Sequence, residues 1–283
     1  MIYRSVRKTL RGTRTMDGAG VHLVRVVGHG DVEEFDPFLL LDAFDSTDPD
    51  DYIAGFPWHP HRGIETVTFL VQGRIDHGDS LGNSGTIEDG ACQWMTAGSG
   101  IIHQEMPQPA PRMLGLQLWI NLPAALKMSE PRYRDLRPEN IPTIARDGTK
   151  ARVIAGSFGG KEGARAGDYV DASMLDLSLE AGSAIEVPTR PEYTAFAYVL
   201  EGEIVVDSGK EAEALRAHEA ALFERGDAIR MLNRGNGVAR LVVFIGRPLK
   251  EPIAWGGPIV MNTREELDAA YRELENGSFI KRR

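Results

Sequence analysis

Residues 55–73 read GFPWHPHRGIETVTFLVQG, and the fold follows from how this stretch is periodised. His59 and His61 stand two apart, and in an extended strand residues two apart share a face. Pro60 between them has no N–H to give to a ladder, which points to an edge or irregular position. Ile64 to Val71 is a short run of β-branched and apolar residues closed by a glycine, the signature of a strand ending in a turn. Glu65 has the same parity as the two histidines and is a third candidate for their face.

Similar short runs recur along the chain, at Gly85 to Met95, Leu114 to Ile120, Ala172 to Leu179, Ala195 to Leu200, Glu203 to Val206 and Val238 to Ile245. Gly, Asp, Asn and Pro separate them. This density of strands with turn punctuation predicts an all-β sandwich or barrel and not βαβ units. The helical signal is clearest near the end, over Thr263 to Leu274. Asn262 or Thr263 would cap it, and Glu265 and Glu266 would lie in its first turn.

A weak internal repeat accompanies the strands. FLVQGRIDHGD from Phe69 matches YVLEGEIVVDS from Tyr198 at an offset of 129, and IEDGACQWM from Ile87 matches FERGDAIRM from Phe223 at an offset of 136. Two blocks in the same order predict two copies of one β-domain. Between Pro123 and Gly160 four prolines interrupt the chain, so the expected division is residues 1–135 and 136–283.

The second ligand-rich segment, residues 95–107, reads MTAGSGIIHQEMP and sets His103 and Glu105 two apart in the same way. Imidazole nitrogens with a carboxylate oxygen suit Fe(II), Mn(II), Ni(II) or Zn(II). One cysteine, Cys92, rules out a thiolate set and is read as a packing thiol. Spacing alone leaves Glu65 and Glu105 both open as the carboxylate. His77, between Asp76 and Asp79, is read as a surface or turn residue, and His22, His29 and His218 carry no partner pattern. Phe56, Trp58 and Trp94 are read as strand packing before pocket lining. At the offset positions of the second copy, Pro188, Arg190, Thr194, Ala239 and Leu241 supply no ligand, so one metal per chain is expected. GSG at 98–100 and SFGG at 157–160 lack the lysine of a phosphate loop, and no nucleophile elbow is present.

Composition bounds the rest. The chain has 283 residues, 42% of them hydrophobic, and 32 basic against 41 acidic residues give a formal charge of -9. That balance works against nucleic acid as a partner. Neither a signal peptide nor a run of 18 apolar residues is found, so a cytoplasmic, non-membrane protein is expected.

FDPFLLLDAF from Phe35, the HPHRGIET and MTAGSGIIHQEMP segments, and GGPIVMNTREEL from Gly256 together resemble the pirin family of the cupin superfamily, over nearly the whole chain. The resemblance implies two antiparallel jelly-roll β-barrels facing each other with a short C-terminal helix. It also implies a metal, iron first with Mn(II), Ni(II), Cu(II) or Zn(II) as substitutes, held in the N-terminal barrel by His59, His61, His103 and Glu105. Some pirins are similar to quercetin 2,3-dioxygenases, which cleave a flavonol with molecular oxygen and release carbon monoxide. Glu105 would then take the hydroxyl proton, with a small aromatic substrate and oxygen as partners and the chain a monomer. Other members resemble metal- or redox-dependent regulators that bind a transcription factor or metabolic enzyme, the alternative reading.

Overall fold

The computed structural model describes residues 1–165 and 169–281. In chain order its strands are β1 (Val6–Leu10), β2 (Thr13–Asp17), β3 (Val21–Val27), β4 (Phe38–Ser46), β5 (Phe56–His61) and β6 (Ile64–Gln72). They continue as β7 (Arg74–Asp79), β8 (Ser84–Ile87), β9 (Cys92–Thr96), β10 (Ile101–Gln108), β11 (Met113–Asn121), β12 (Arg132–Leu136), β13 (Thr143–Arg146) and β14 (Thr149–Ala155). A minor hairpin, β15 (Ser157–Phe158) and β16 (Lys161–Glu162), precedes β17 (Ala172–Leu179), β18 (Ala184–Pro188), β19 (Thr194–Glu201) and β20 (Glu203–Asp207). The last are β21 (Ala212–Arg216), β22 (Ala220–Phe223), β23 (Ala228–Leu232), β24 (Ala239–Gly246), and the hairpin β25 (Ala254–Gly256) and β26 (Ile259–Met261). The expected strand from Gly85 to Met95 is two strands, because Glu88 to Ala91 make a turn in which the Ala91 N–H donates to the Glu88 carbonyl at 2.9 Å.

The strands gather into two compact units, each discontinuous in sequence. One comprises Thr13–Val32, Phe38–Pro138 and Leu249–Arg283; the other comprises Met1–Gly12, Glu33–Pro37 and Glu139–Pro248. This differs from a single cut after residue 135 by exchanged segments. β1 leaves the N-terminal part to pair with β22, and the C-terminal segment buries Ile259, Met261, Leu267, Ala270 and Phe279 with Ile102 packed against them. Such pairings join residues far apart in sequence, so no local pattern announces them.

In the first unit a seven-stranded sheet runs β12-β9-β6-β11-β4-β3-β2 and a four-stranded sheet runs β5-β10-β7-β8. The second unit repeats the plan as β1-β22-β19-β24-β17-β14-β13 and β18-β23-β20-β21. All of these ladders are antiparallel, so each unit is the expected antiparallel jelly-roll, built from two sheets whose strands do not join into one continuous ring. The topology confirms the first repeat block, in which β6, Gly73 and β7 match β19, Gly202 and β20. It corrects the second: β9 corresponds to β22 and β10 to β23, whereas Ala239 and Leu241 lie on β24, the counterpart of β11. IEDGACQWM and FERGDAIRM share only a strand, an acidic glycine turn and a strand, a shape that recurs between any two such strands.

The interior of the second unit is filled by apolar side chains from both its sheets, among them Val153, Leu177, Val199, Ile204, Ile229 and Leu241. The strands matching β5 and β10, β18 and β23, read AIEVP and AIRML and contain no histidine. The C-terminal helix spans Arg264–Glu275, and Thr263 caps it in a reciprocal box with Glu266, which selects Thr263 from the two expected caps. No helix among the described residues is long and apolar enough to cross a membrane.

Candidate metal centre

β5 and β10 lie side by side with His59 opposite His103 and His61 opposite Ile101. β5 is an edge strand, so the missing N–H of Pro60 breaks no ladder. Burial along β10 alternates strictly, with Ile101, His103, Glu105 and Pro107 inward. His61 and His103 are 2% and 1% exposed.

After His61 the chain turns a corner from the four-stranded to the seven-stranded sheet. Gly63 makes the corner with φ of 78°, and a Cβ there would sit 1.9 Å from the Val260 carbonyl oxygen, so only glycine fits. The Gly63 N–H donates to the Gly98 carbonyl at 2.9 Å and the Arg62 Nε to the Ser99 carbonyl at 2.7 Å. The entries to the two ligand strands are thereby tied together. The corner resets the strand period. Thr68 on β6 lines the cavity, and Glu65, three residues away, falls on the opposite face, its Oε1 accepting from the Thr96 hydroxyl at 2.7 Å. Glu65 therefore does not share the histidines' face despite its even spacing from them.

Lys127 braces the same corner. It is 1% exposed, and its Nζ donates to the Gly63 carbonyl at 2.9 Å, Asn121 Oδ1 at 2.6 Å and the Val260 carbonyl at 3.0 Å. Burial pushes its amine down to about 7 from 10.5, although three oxygens surround it. Across that window the unfolded chain holds the proton that the folded chain releases, so stability rises with pH, by up to about 1.4 kcal/mol per unit. We predict that wild type gains roughly 2 kcal/mol on Lys127→Met between pH 7 and 9 in urea denaturation. Parallel stability profiles for the two proteins would contradict this.

The imidazoles are oriented as donors. His59 Nδ1–H donates to the Pro57 carbonyl at 2.8 Å and His61 Nδ1–H to the Pro258 carbonyl at 3.0 Å, and carbonyls accept only, which leaves each Nε2 with a lone pair. Those two Nε2 atoms are 3.0 Å apart. Two facing lone pairs repel unless a cation lies against both, so this pair of nitrogens would hold one. His103 Nε2 is buried without a hydrogen-bond partner, and one nitrogen from each of the three rings lies within 4.8 Å of the others. Burial, with His59 beside it, pushes His61 down to about 3, and burial beside His61 and His59 holds His103 well below its usual range. Both rings are neutral and ready to bind. The donor set fits a divalent metal.

Glu105 shares the inner face, but its carboxyl stands outside the three-histidine cluster and contacts the Thr68 hydroxyl at 2.6 Å. Burial raises its proton affinity, with the Thr68 contact opposing. Thr68 Oγ1 also lies 2.6 Å from the Gln117 side-chain oxygen position. A hydroxyl has one proton, so with Thr68 donating to an ionised Glu105 the Gln117 amide is turned to present its N–H to Thr68.

A cavity of about 530 Å³ opens on this cluster, lined by His59, His61, Thr68, Glu105 and Gln117 and walled by Leu23, Leu40, Phe44, Phe56, Ile75, Trp119 and Trp255. That volume suits a small organic ligand. Phe56 thus lines the pocket, while Trp94 is buried and Trp58 is 55% exposed. Cys92 is buried as expected. His77 is corrected: it is buried on β7 opposite Glu105, and Tyr133 Oη meets its Nδ1 at 2.6 Å, because RIDHGD is a strand despite its glycine and aspartates. His29 is no isolated surface residue, since it stacks on Trp255 with ring centroids 3.7 Å apart and lines the cavity. Sequence reading also missed Pro258 and Trp255; the GGPIVM motif, which contains the first and directly follows the second, was the signal.

Comparison with known proteins places these features. Residues 20–120 match the Pirin family and residues 174–280 the Pirin C-terminal cupin domain. A pirin-like protein of Caulobacter vibrioides is 44% identical over 99% of this chain and all of its own length. Human pirin is 36% identical over 92% of this chain and 90% of its own. Among solved structures, a quercetin 2,3-dioxygenase from Acinetobacter baumannii is 31% identical with a TM-score of 0.89, covering 98% of both chains.

Proposed function

We propose, from the premise that this chain belongs to the pirin family, that its histidine-bearing unit is a metal-dependent dioxygenase opening a flavonol or a similar enolic aromatic ring. What supports this reading above all is the convergence of three imidazole donors, two of which, His59 and His61, line a largely apolar cavity of about 530 Å³. The likeness to a solved quercetin 2,3-dioxygenase adds to it.

His59, His61 and His103 would hold the metal, with Glu105 as fourth donor. A divalent ion of the iron class supplies Lewis acidity and a redox couple there. Glu105, whose burial raises its proton affinity, receives the proton of the substrate's enolic hydroxyl. Thr68 and Gln117 orient its carboxyl. Trp119 and Phe56 flank a flat ring and keep water away, which strengthens each polar contact.

The test is anaerobic loading with Fe(II), addition of a flavonol, then oxygen. Loss of the flavonol absorbance with one carbon monoxide released per flavonol is the expected result. Intact flavonol over fully loaded protein would rule the reading out for that substrate class.

A further inference from the structure

The cavity has a second chemical end. Thr68, Gln117, Asp42 and Arg25 stand opposite one another in register across β6, β11, β4 and β3, and all four line the cavity. Neighbouring strands lie about 4.8 Å apart, so this polar row runs roughly 10 Å from Thr68, which holds Glu105, to Asp42. There Arg25 Nε donates to Asp42 Oδ1 at 2.9 Å and its Nη2 to Asp42 Oδ2 at 2.7 Å, while Nη2 also reaches Asp17 Oδ2 at 2.8 Å. One cation thus faces two carboxylates, a net negative end that repels anions and attracts hydrogen-bond donors. Asp42 is 4% exposed, and each of its oxygens keeps a lone pair beyond the one Arg25 uses. Burial pushes its carboxyl up to about 6, with the Arg25 guanidinium opposing. The stacked rings of His29 and Trp255 add a flat wall to the same cavity.

We infer that the cavity selects a planar polyphenol by both ends: the enolic end lies at the histidine cluster and Glu105, and a hydroxyl two or three rings' length away donates to Asp42. Arg25 is the positioning residue that fixes the Asp42 carboxylate. The substrate class is therefore a flat aromatic with a hydroxyl at its far end, and analogues carrying a far carboxylate are rejected. The assignment of the enolic end rests on the flavonol reading; the selectivity of the far end rests on the polar row.

The test is equilibrium dialysis of the Zn(II)-loaded full chain, without oxygen, against quercetin and against 3-hydroxyflavone, which has the enol but no far hydroxyl. A hydrogen bond to a buried carboxylate predicts that quercetin binds about 10-fold or more tightly than 3-hydroxyflavone. Asp42→Asn, matched in shape, brings the two within about twofold by weakening quercetin alone. Arg25→Lys, which keeps the charge and loses the two-pronged grip, gives an intermediate ratio. Equal weakening of both probes in Asp42→Asn, or unchanged discrimination, overturns the inference. Hydroxyl-dependent binding without oxygen-dependent cleavage would sink the dioxygenase reading and leave this inference standing. Cleavage of both probes with equal kcat/KM by wild type would do the reverse.

Discussion

His61→Ala lowers divalent-metal affinity by about 10²- to 10³-fold, beyond the roughly 10- to 100-fold typical of losing a group behind a ligand. At micromolar metal the bound ion falls from one per chain to a small fraction of that. The cause is the paired arrangement of His59 and His61: each Nδ1–H is committed to a carbonyl, so each Nε2 has no role except toward a cation. Removing one leaves two nitrogens on β5 and β10 and an opening beside Trp119, whose ring meets His61 edge-on at 5.0 Å. Fold is retained, since the ring contributes little to the apolar clusters, and circular dichroism checks this. Metal content by elemental analysis after dialysis gives the result. One equivalent retained by the variant would contradict the assignment. For the wild type the expected content is one equivalent and not two, because β18 and β23 of the companion unit offer no histidine.

Glu105→Gln lowers turnover by about 10²- to 10⁴-fold, the range for loss of a positioned general base. The amide keeps the contact with Thr68 and fills the same space, so the loss reports on chemistry and not on packing. On the proposed ligand set, metal affinity falls as well, by about tenfold, because its fourth donor loses its charge. Glu65→Gln is the matched control. Its carboxyl bonds Thr96 on the far face of β6, so both metal content and turnover stay within about twofold of wild type. Steady-state rates and metal titrations on the two variants separate these outcomes. Equal losses in both would place Glu65 back in the site.

The three histidines were legible because a period of two carries a side chain to the same face however the strand is bent. Glu65 was misjudged at one residue: Gly63 turns the chain through a left-handed conformation and starts a new strand in another sheet, which breaks the count. His77 was hidden by Asp and Gly neighbours that usually mark turns, yet its strand is paired on both sides by β8 and β10. The repeat told of two copies, but its second block aligned like turns on unlike strands. What no local pattern could disclose is everything made by register. The row from Thr68 to Arg25 joins four strands, and Pro258, nearly two hundred residues beyond His61, supplies the carbonyl that sets its tautomer.

X-ray absorption at the iron K-edge of the anaerobically loaded protein tests the central claim most directly. Three imidazole nitrogens about 2.1 Å from the metal, with their outer-ring scattering, are the predicted result, reduced to two in His61→Ala. A shell of oxygen donors without imidazole scattering would contradict the account.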